Sequence, residues 1–255
     1  MLAAERHLEI LARIARRGSV RVVELAGSLD VAEETIRRDL EKLDRDGRLL
    51  RTHGGALRLA NGTEELPFTV RTVTRQKQKR AIAALAVKQI VPGDVIALDA
   101  SSTVNELAQL IPDMPLTVVT NSLTAIASLQ GRPQIRVVGT GGILDAPSRS
   151  FVGTLAEKAL EQFNMNRLFF SSKGVDLARG LSVVDDNHAG IKRRMIELST
   201  QVCLLVDSSK FGVSSVEFFA GLDEVDILFT DGAAGGEIEE TLAAFDLEVK
   251  TCPAR

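Results

Sequence analysis

Cysteine is almost missing from this chain. There are two in 255 residues, Cys203 inside the apolar run VCLLVD and Cys252 near the end. Two isolated cysteines with no neighbouring histidine cluster make neither a zinc site nor a disulfide framework, and packing accounts for Cys203. Also missing is any apolar stretch long enough to span a bilayer. Met1 to Ala4 lead straight into charged residues with no apolar signal core, so a cytoplasmic protein with no membrane partner is expected. Neither a Walker A sequence nor a GxGxxG pattern occurs, so no nucleotide cofactor is indicated. A basic surplus is lacking too. The net charge of -3 does not fit a protein whose whole surface binds nucleic acid. Residues 1–58 nevertheless hold 12 Lys+Arg against 10 Asp+Glu, a surplus of two, which leaves -5 for the rest. So small a surplus implies weak DNA binding by one copy, and hence a homodimer or homotetramer presenting two half-sites.

What is present starts with residues 31–57, VAEETIRRDLEKLDRDGRLLRTHGGAL. Ile36, Leu40 and Leu43 recur at helical spacing and share one side of a helix. Thr35, Arg38, Lys42 and Arg45 fall on the opposite side, with Arg37 at its flank. Arginine and lysine there can meet phosphate oxygens or the acceptor edge of guanine in a major groove. Any amphipathic helix has a charged face, so the order of the neighbouring elements carries the weight. Glu5 to Arg17 read as a helix closed by Gly18, and Val22 to Leu29 as a second, with Asp30-Val31 as the turn. Gly47 ends the third helix. Arg48 to Arg51 and Ala56 to Leu59 read as two strands about a His53-Gly54-Gly55 turn. The expectation is a winged helix-turn-helix over residues 3–58, its helix-turn-helix segment at 20–39. Thr35, Arg37, Arg38, Lys42, Arg51 and His53 would then contact double-stranded operator DNA.

Residues 59–70 are polar, carry Gly and Pro and lack an apolar period, so they read as a linker. Arg71 to Ile90 read as one long helix. Its Arg75, Lys77, Lys79 and Arg80 could touch DNA or an effector phosphate, although a solvated helix start is the simpler account. Beyond Asp94, β-branched runs alternate with helical segments: VIALDA, LTVVTN, IRVVGT, RLFFSS, VCLLVD and VDILFTD. That alternation implies an α/β domain over 71–252, a mostly parallel sheet covered on both faces, with ligands at the carboxyl ends of its strands. Those ends hold Asp99, Ser101, Ser102 and Thr103; Thr120, Asn121 and Ser122; Gly141 and Gly142; Lys173; and Asp207 with Lys210. Hydroxyls and helix-start amides suit an anion, glycines allow close approach, lysines add charge and aspartates accept sugar hydroxyls. Each loop alone is an ordinary turn or cap. Their shared position suggests a phosphorylated sugar.

The N-terminal motifs TIRRDL (Thr35 to Leu40), Leu43 with Gly47, and the Arg51 to Gly55 wing closely resemble the DeoR family of bacterial transcriptional regulators. The likeness continues through Asp99 to Thr103, Thr120 to Ser122, Gly141-Gly142 and Asp207 to Phe211, covering nearly the whole chain. It implies a ribose-5-phosphate-isomerase-like sensor for a sugar phosphate, controlling a carbohydrate catabolic operon, with repression the commoner mode. ELAQLIPD is similar to members serving deoxysugar operons, which implies a deoxysugar phosphate. Two positions depart from the family pattern. Ala32 replaces an N-cap serine, costing about 1 kcal/mol of helix stability, which Glu33 and Glu34 partly offset at the positive helix end. His188 stands four residues before Lys192, where the family often has Glu, and both enter the effector set. The alternative is a sugar-phosphate isomerase-like enzyme using Asp99, Asp207 and Lys210 or His188 as acid-base groups, but it leaves Val20 to Leu59 unexplained.

Overall fold

The computed structural model describes residues 2–45, 48–52, 54–57, 66–232 and 236–252. Gly47, His53 and residues 59–65 of the expected linker lie outside them. The chain divides into two compact units, residues 1–61 with 69–74, and residues 62–68 with 75–255.

In the first unit, α1 (Ala3–Arg17), β1 (Ser19–Arg21), α2 (Val22–Leu29), α3 (Glu33–Arg45), β2 (Leu50–Thr52) and β3 (Gly55–Leu57) follow one another. The apolar seam closes on itself: Ile10, Ile14, Leu25, Ile36, Leu40, Leu43 and Leu49 form one buried core. Gly18 ends α1 at φ 74°, its amide donating to Ile14 O at 2.8 Å, and Asp30 closes α2 at φ 52°. At the start of α3 the Ala32 carbonyl accepts from Thr35 N at 2.9 Å. The wing has a third strand that the sequence pattern did not show. β1 pairs antiparallel with β3, and β3 with β2. A Cβ at Gly55 would lie 1.9 Å from Val20 O, so this crossing requires glycine.

α4 (Phe68–Val73) and α5 (Gln76–Ala86) replace the single helix expected over Arg71 to Ile90. The Thr72 and Thr74 hydroxyls donate back to Thr69 O and Val70 O, and Arg75 takes a left-handed conformation at φ 48°, which interrupts the helical ladder. After a 3-10 turn at Val87–Gln89 come β4 (Val95–Leu98), α6 (Ser102–Leu110), β5 (Leu116–Thr120), α7 (Leu123–Leu129), β6 (Ile135–Gly139), β7 (Ile143–Asp145), β8 (Ser150–Val152), α8 (Thr154–Leu160) and β9 (Met165–Phe170). The chain ends with β10 (Gly174–Asp176), β11 (Gly180–Val183), α9 (Asp186–Glu197), β12 (Ser199–Leu205), β13 (Glu217–Ala220), β14 (Ile227–Asp231), α10 (Gly236–Leu242) and β15 (Glu248–Cys252).

Seven strands form one parallel sheet in the order β15-β14-β12-β9-β4-β5-β6. Its central strands are buried on both faces, which is why they read as continuous apolar runs. One face packs α5, α6 and α7 through Ile82, Val104, Leu107 and Ala125. The other packs α8 and α9 through Ala156, Leu160, Ile191 and Met195. β10, β11 and β13 make a small antiparallel sheet, and β7 and β8 a hairpin. Cys252, expected in a tail, is the buried end of β15, and Cys203 is fully buried with its thiol pushed up to about 12 by desolvation.

Candidate functional site

On α3 the Ile36-Leu40-Leu43 side is buried, while Arg37, Arg38, Lys42 and Arg45 are exposed and Thr35 is half-buried. Arg51 is exposed on β2, its amide donating to Asp44 Oδ1 at 3.0 Å, which ties the wing to the end of α3. Neighbouring acids hold the arginines. Arg37 donates to Glu33 at 2.6 Å, and Arg38 Nε lies 3.4 Å from Glu34 Oε1. Exposed pairs of this kind contribute about 0.3–0.5 kcal/mol, and Arg38 must leave Glu34 to reach a phosphate. Glu34→Gln is therefore expected to raise affinity for a non-specific duplex several-fold at low salt. An affinity equal to wild type in an anisotropy titration would mean that Arg38 does not meet the DNA.

Behind this face Asp39 is buried. Arg6 donates to it through Nε and, at 3.1 Å, through Nη2, and His7 Nε2 lies 2.9 Å from Oδ1. Burial alone would raise the Asp39 pKa, but the hydrogen bonds from Arg6 and His7 outweigh it and hold the carboxyl below its ordinary range. The triad fixes α3 against α1, and with it the direction in which the arginines point.

In the second unit the strand order reverses between β4 and β9. From β4 the chain adds β5 and β6 on one side, then returns to add β9, β12, β14 and β15 on the other. Sheets of this kind bind ligands at the carboxyl ends of the strands at such a reversal. Asp99 stands there, nearly inaccessible, accepting from Ser101 N at 2.9 Å and Ser171 N at 3.1 Å. Lys192 of α9 forms an ion pair with Asp99 and donates to Ser171 O at 2.8 Å, so it bridges the ends of both strands. Ser101 caps α6 by accepting from Val104 N, leaving Ser102 and Thr103 buried in its first turn. At the end of β5, Thr120 donates to Leu98 O and accepts from Ser122 N; Ser122 caps α7; and Asn121 Nδ2 donates to Phe151 O.

Among the described residues, three buried polar atoms at these strand ends have no hydrogen-bond partner: Asn121 Oδ1, Ser172 Oγ and His188 Nε2. His188 Nδ1 lies 2.8 Å from Asp185 Oδ2, and its buried Nε2 lies 3.8 Å from Asp145 Oδ2, beyond hydrogen-bond reach. Buried polar groups are normally satisfied, so orphans just beyond β5 and β9 and at the start of α9 suit a polar ligand there.

The comparisons agree on both units. Residues 6–61 match the DeoR-like helix-turn-helix domain and residues 74–232 the DeoR C terminal sensor domain. The chain belongs to the DeoR family of transcriptional regulators. It is 45% identical over 231 residues to the uncharacterized HTH-type transcriptional regulator YulB of Bacillus subtilis, covering 91% of this chain and 90% of that one. It is 37% identical over 240 residues to the L-fucose operon activator of Haemophilus influenzae, covering 93% and 96%. These relatives are named as regulators, and the chain is a regulator rather than an enzyme. Among solved structures it is similar to ribose 5-phosphate isomerase A of Methanocaldococcus jannaschii, with a TM-score of 0.41 and 17% identity over 54% of this chain and 55% of that one, a likeness too loose to speak to chemistry. No helix among the described residues is long and apolar enough to cross a membrane.

Within this DeoR-family sensor, the residues singled out from sequence do not all meet. Asp99, Ser101 and Lys192 are in direct contact, and Thr120 at the end of β5, followed by Asn121 and Ser122, lies on the neighbouring strand. Gly142 packs against β8 and α8, where a Cβ would lie 2.9 Å from Val152 O and 3.0 Å from Ala156 Cβ, whereas Gly141 beside it faces open space. Lys173 opens the small antiparallel sheet, its amide donating to Ser182 O. Asp207 and Lys210 lie two strands away from Asp99, at the end of β12, with Arg75 Nε 3.7 Å from Asp207 Oδ1. Sequence reasoning set Lys79 aside as solvated, yet it is only 5% exposed. The signal was present: Lys79, Ile82, Ala83 and Ala86 are spaced as the buried stripe of α5, so Lys79 occupies a core-facing position.

Proposed function

We propose that this DeoR-family protein is a repressor of a carbohydrate catabolic operon whose hold on operator DNA is set by a phosphorylated sugar bound at the carboxyl ends of β4, β5, β9 and β12. On this reading residues 3–58 read the DNA, 59–70 link, and 71–252 sense the effector. The observation that carries it is that Asn121 Oδ1, Ser172 Oγ and His188 Nε2, none with a hydrogen-bond partner, lie just past β5 and β9 and on the helix of Lys192, whose pair with Asp99 stands at the reversal point of the sheet. Hydroxyl groups both donate and accept, so a sugar satisfies such a mixed set. The likeness to the L-fucose operon activator favours a deoxysugar phosphate. Thr35, Arg37, Arg38, Lys42, Arg51 and His53 form the DNA-contacting set, in a homodimer or homotetramer, because a module of net +2 needs two half-sites to bind tightly at cytoplasmic salt.

Arg38→Ala tests the DNA-reading half. Its side chain is 78% exposed and opposite the core seam, so the melting temperature should hardly move. Operator discrimination should fall by about 1–3 kcal/mol, the range for a bidentate base contact. An unchanged gel-shift affinity would remove Arg38 from the interface.

A further inference from the structure

We infer that the outer face of α1 is a self-association surface, on which two copies of this chain pair their α1 helices antiparallel; this goes beyond the effector reading and rests only on the homo-oligomer expected there. α1 has two unlike sides. Ile10 and Ile14 are buried in the core of the first unit, and Arg6, on the same side, holds Asp39 of α3. Opposite them Leu8 is 66% exposed, Ala12 is exposed and Leu11 is half-buried. Spaced at i, i+3 and i+4, these three make one apolar stripe. A single exposed leucine is ordinary. The charges beside the stripe are what name its occupant.

Glu5 lies in the first turn of α1, and Arg16 and Arg17 lie in the last. Glu9 is already engaged by Arg13 at 2.7 Å, whereas the Arg16 side chain is 72% exposed. Glu5, Ala12 and Arg16 recur at i, i+7 and i+11, so both charges flank the stripe along its Ala12 edge. Within one chain they are about 16 Å apart along the helix, too far to pair. Between two copies they meet. A two-fold through the middle of α1 seats Leu8 of one copy between Leu11 and Ala12 of the other, and brings Glu5 to within about 3 Å of the level of the other copy's Arg16. Parallel pairing would instead set Glu5 against Glu5 and Arg16 against Arg16, which repel. Charge complementarity therefore selects a second copy of the same helix, run the other way. Because α3 packs on the Arg6 side, the pair leaves Arg37, Arg38 and Lys42 open to DNA. One helix pair is smaller than the roughly 1,200 Å² of a stable interface, so it adds to contacts elsewhere at the high effective concentration that the oligomer supplies.

Sedimentation equilibrium of the full-length chain without DNA tests the surface. Leu8→Glu should weaken self-association at least about tenfold, a difference of about 1.4 kcal/mol. Its melting temperature should stay at the wild-type value, since the side chain already stands mostly in water. Val23→Glu, at a position 67% exposed on α2, should associate as wild type does. Glu5→Arg and Arg16→Glu should each weaken association several-fold, and combining them should restore it, because the exchanged charges again face one another across the pair. Wild-type association in Leu8→Glu, or no recovery in the combined variant, overturns the surface and leaves the oligomer to other contacts. A wild type that stays monomeric overturns the surface and the homo-oligomer together. Neither result touches effector control, which the response of operator binding to a sugar phosphate reports separately.

Discussion

Asp39→Ala is expected to destabilise the DNA-binding unit by about 3–5 kcal/mol, the range for removing one partner of a buried ion pair. The carboxylate is 7% exposed and receives Arg6 in two hydrogen bonds, with His7 alongside, so the alanine variant takes these two hydrogen bonds and a negative charge from a buried guanidinium. A domain of this size has roughly 5–15 kcal/mol of stability in all, which makes the loss close to unfolding. Leu40→Ala, one residue along and fully buried, should cost about 2–5 kcal/mol through its cavity alone. pH separates the two. Because the folded Asp39 pKa is depressed, the stability it contributes is present above the unfolded value of about 3.9 and is lost as pH falls through the lower folded value. The gap between wild type and Asp39→Asn should thus be full at neutral pH and close in acid below about pH 4, while the Leu40→Ala gap stays constant. The chain has no Trp or Tyr, so urea melts followed by circular dichroism are the means of measuring it. A gap for Asp39→Asn that does not change with pH would contradict the ionised triad.

The helix-turn-helix was legible because its core is local: Ile36, Leu40 and Leu43 are neighbours on one helix, and the periodicity that buries them exposes Arg38 and Lys42. β1 was not, since Ser19–Arg21 is too short to show a period and becomes a strand only through its pairing with β3. The parallel strands announced themselves as apolar runs, but no run states its neighbours. That β9 lies between β12 and β4 follows from pairings 34 residues or more apart in the chain, and it is this order that places Ser171 against Asp99. Lys192 reaches Asp99 across 93 residues, beyond any local pattern. Asp185 is different, because as the N-cap of α9, three residues before His188, it could have been read as that ring's anchor. The small antiparallel sheet escaped because GVD, GLSV and EFFA are short and separated by irregular segments.

Lys210→Ala is expected to leave operator affinity within about twofold of wild type and to abolish the response to effector. Lys210 sits in the 3-10 turn that follows β12, where its amide donates to Asp207 O whatever the side chain, so truncation should change folding stability by no more than about 0.5 kcal/mol. Asp99→Ala is a less clean variant. Asp99 also secures Ser101, Ser171 and Lys192, and its loss strands a buried ammonium. Linkage supplies the reason for the separation: an effector shifts DNA affinity only through unequal binding to two states, so deleting an effector contact removes coupling and spares the recognition helix. The direct measurement is an anisotropy titration of operator-bound protein with a panel of phosphorylated sugars and their unphosphorylated counterparts. One phosphorylated sugar should change operator affinity by about 5–150-fold in wild type and not in Lys210→Ala. A panel with no effect on wild type, or a dose response in Lys210→Ala equal to wild type, would contradict sugar-phosphate control through this site.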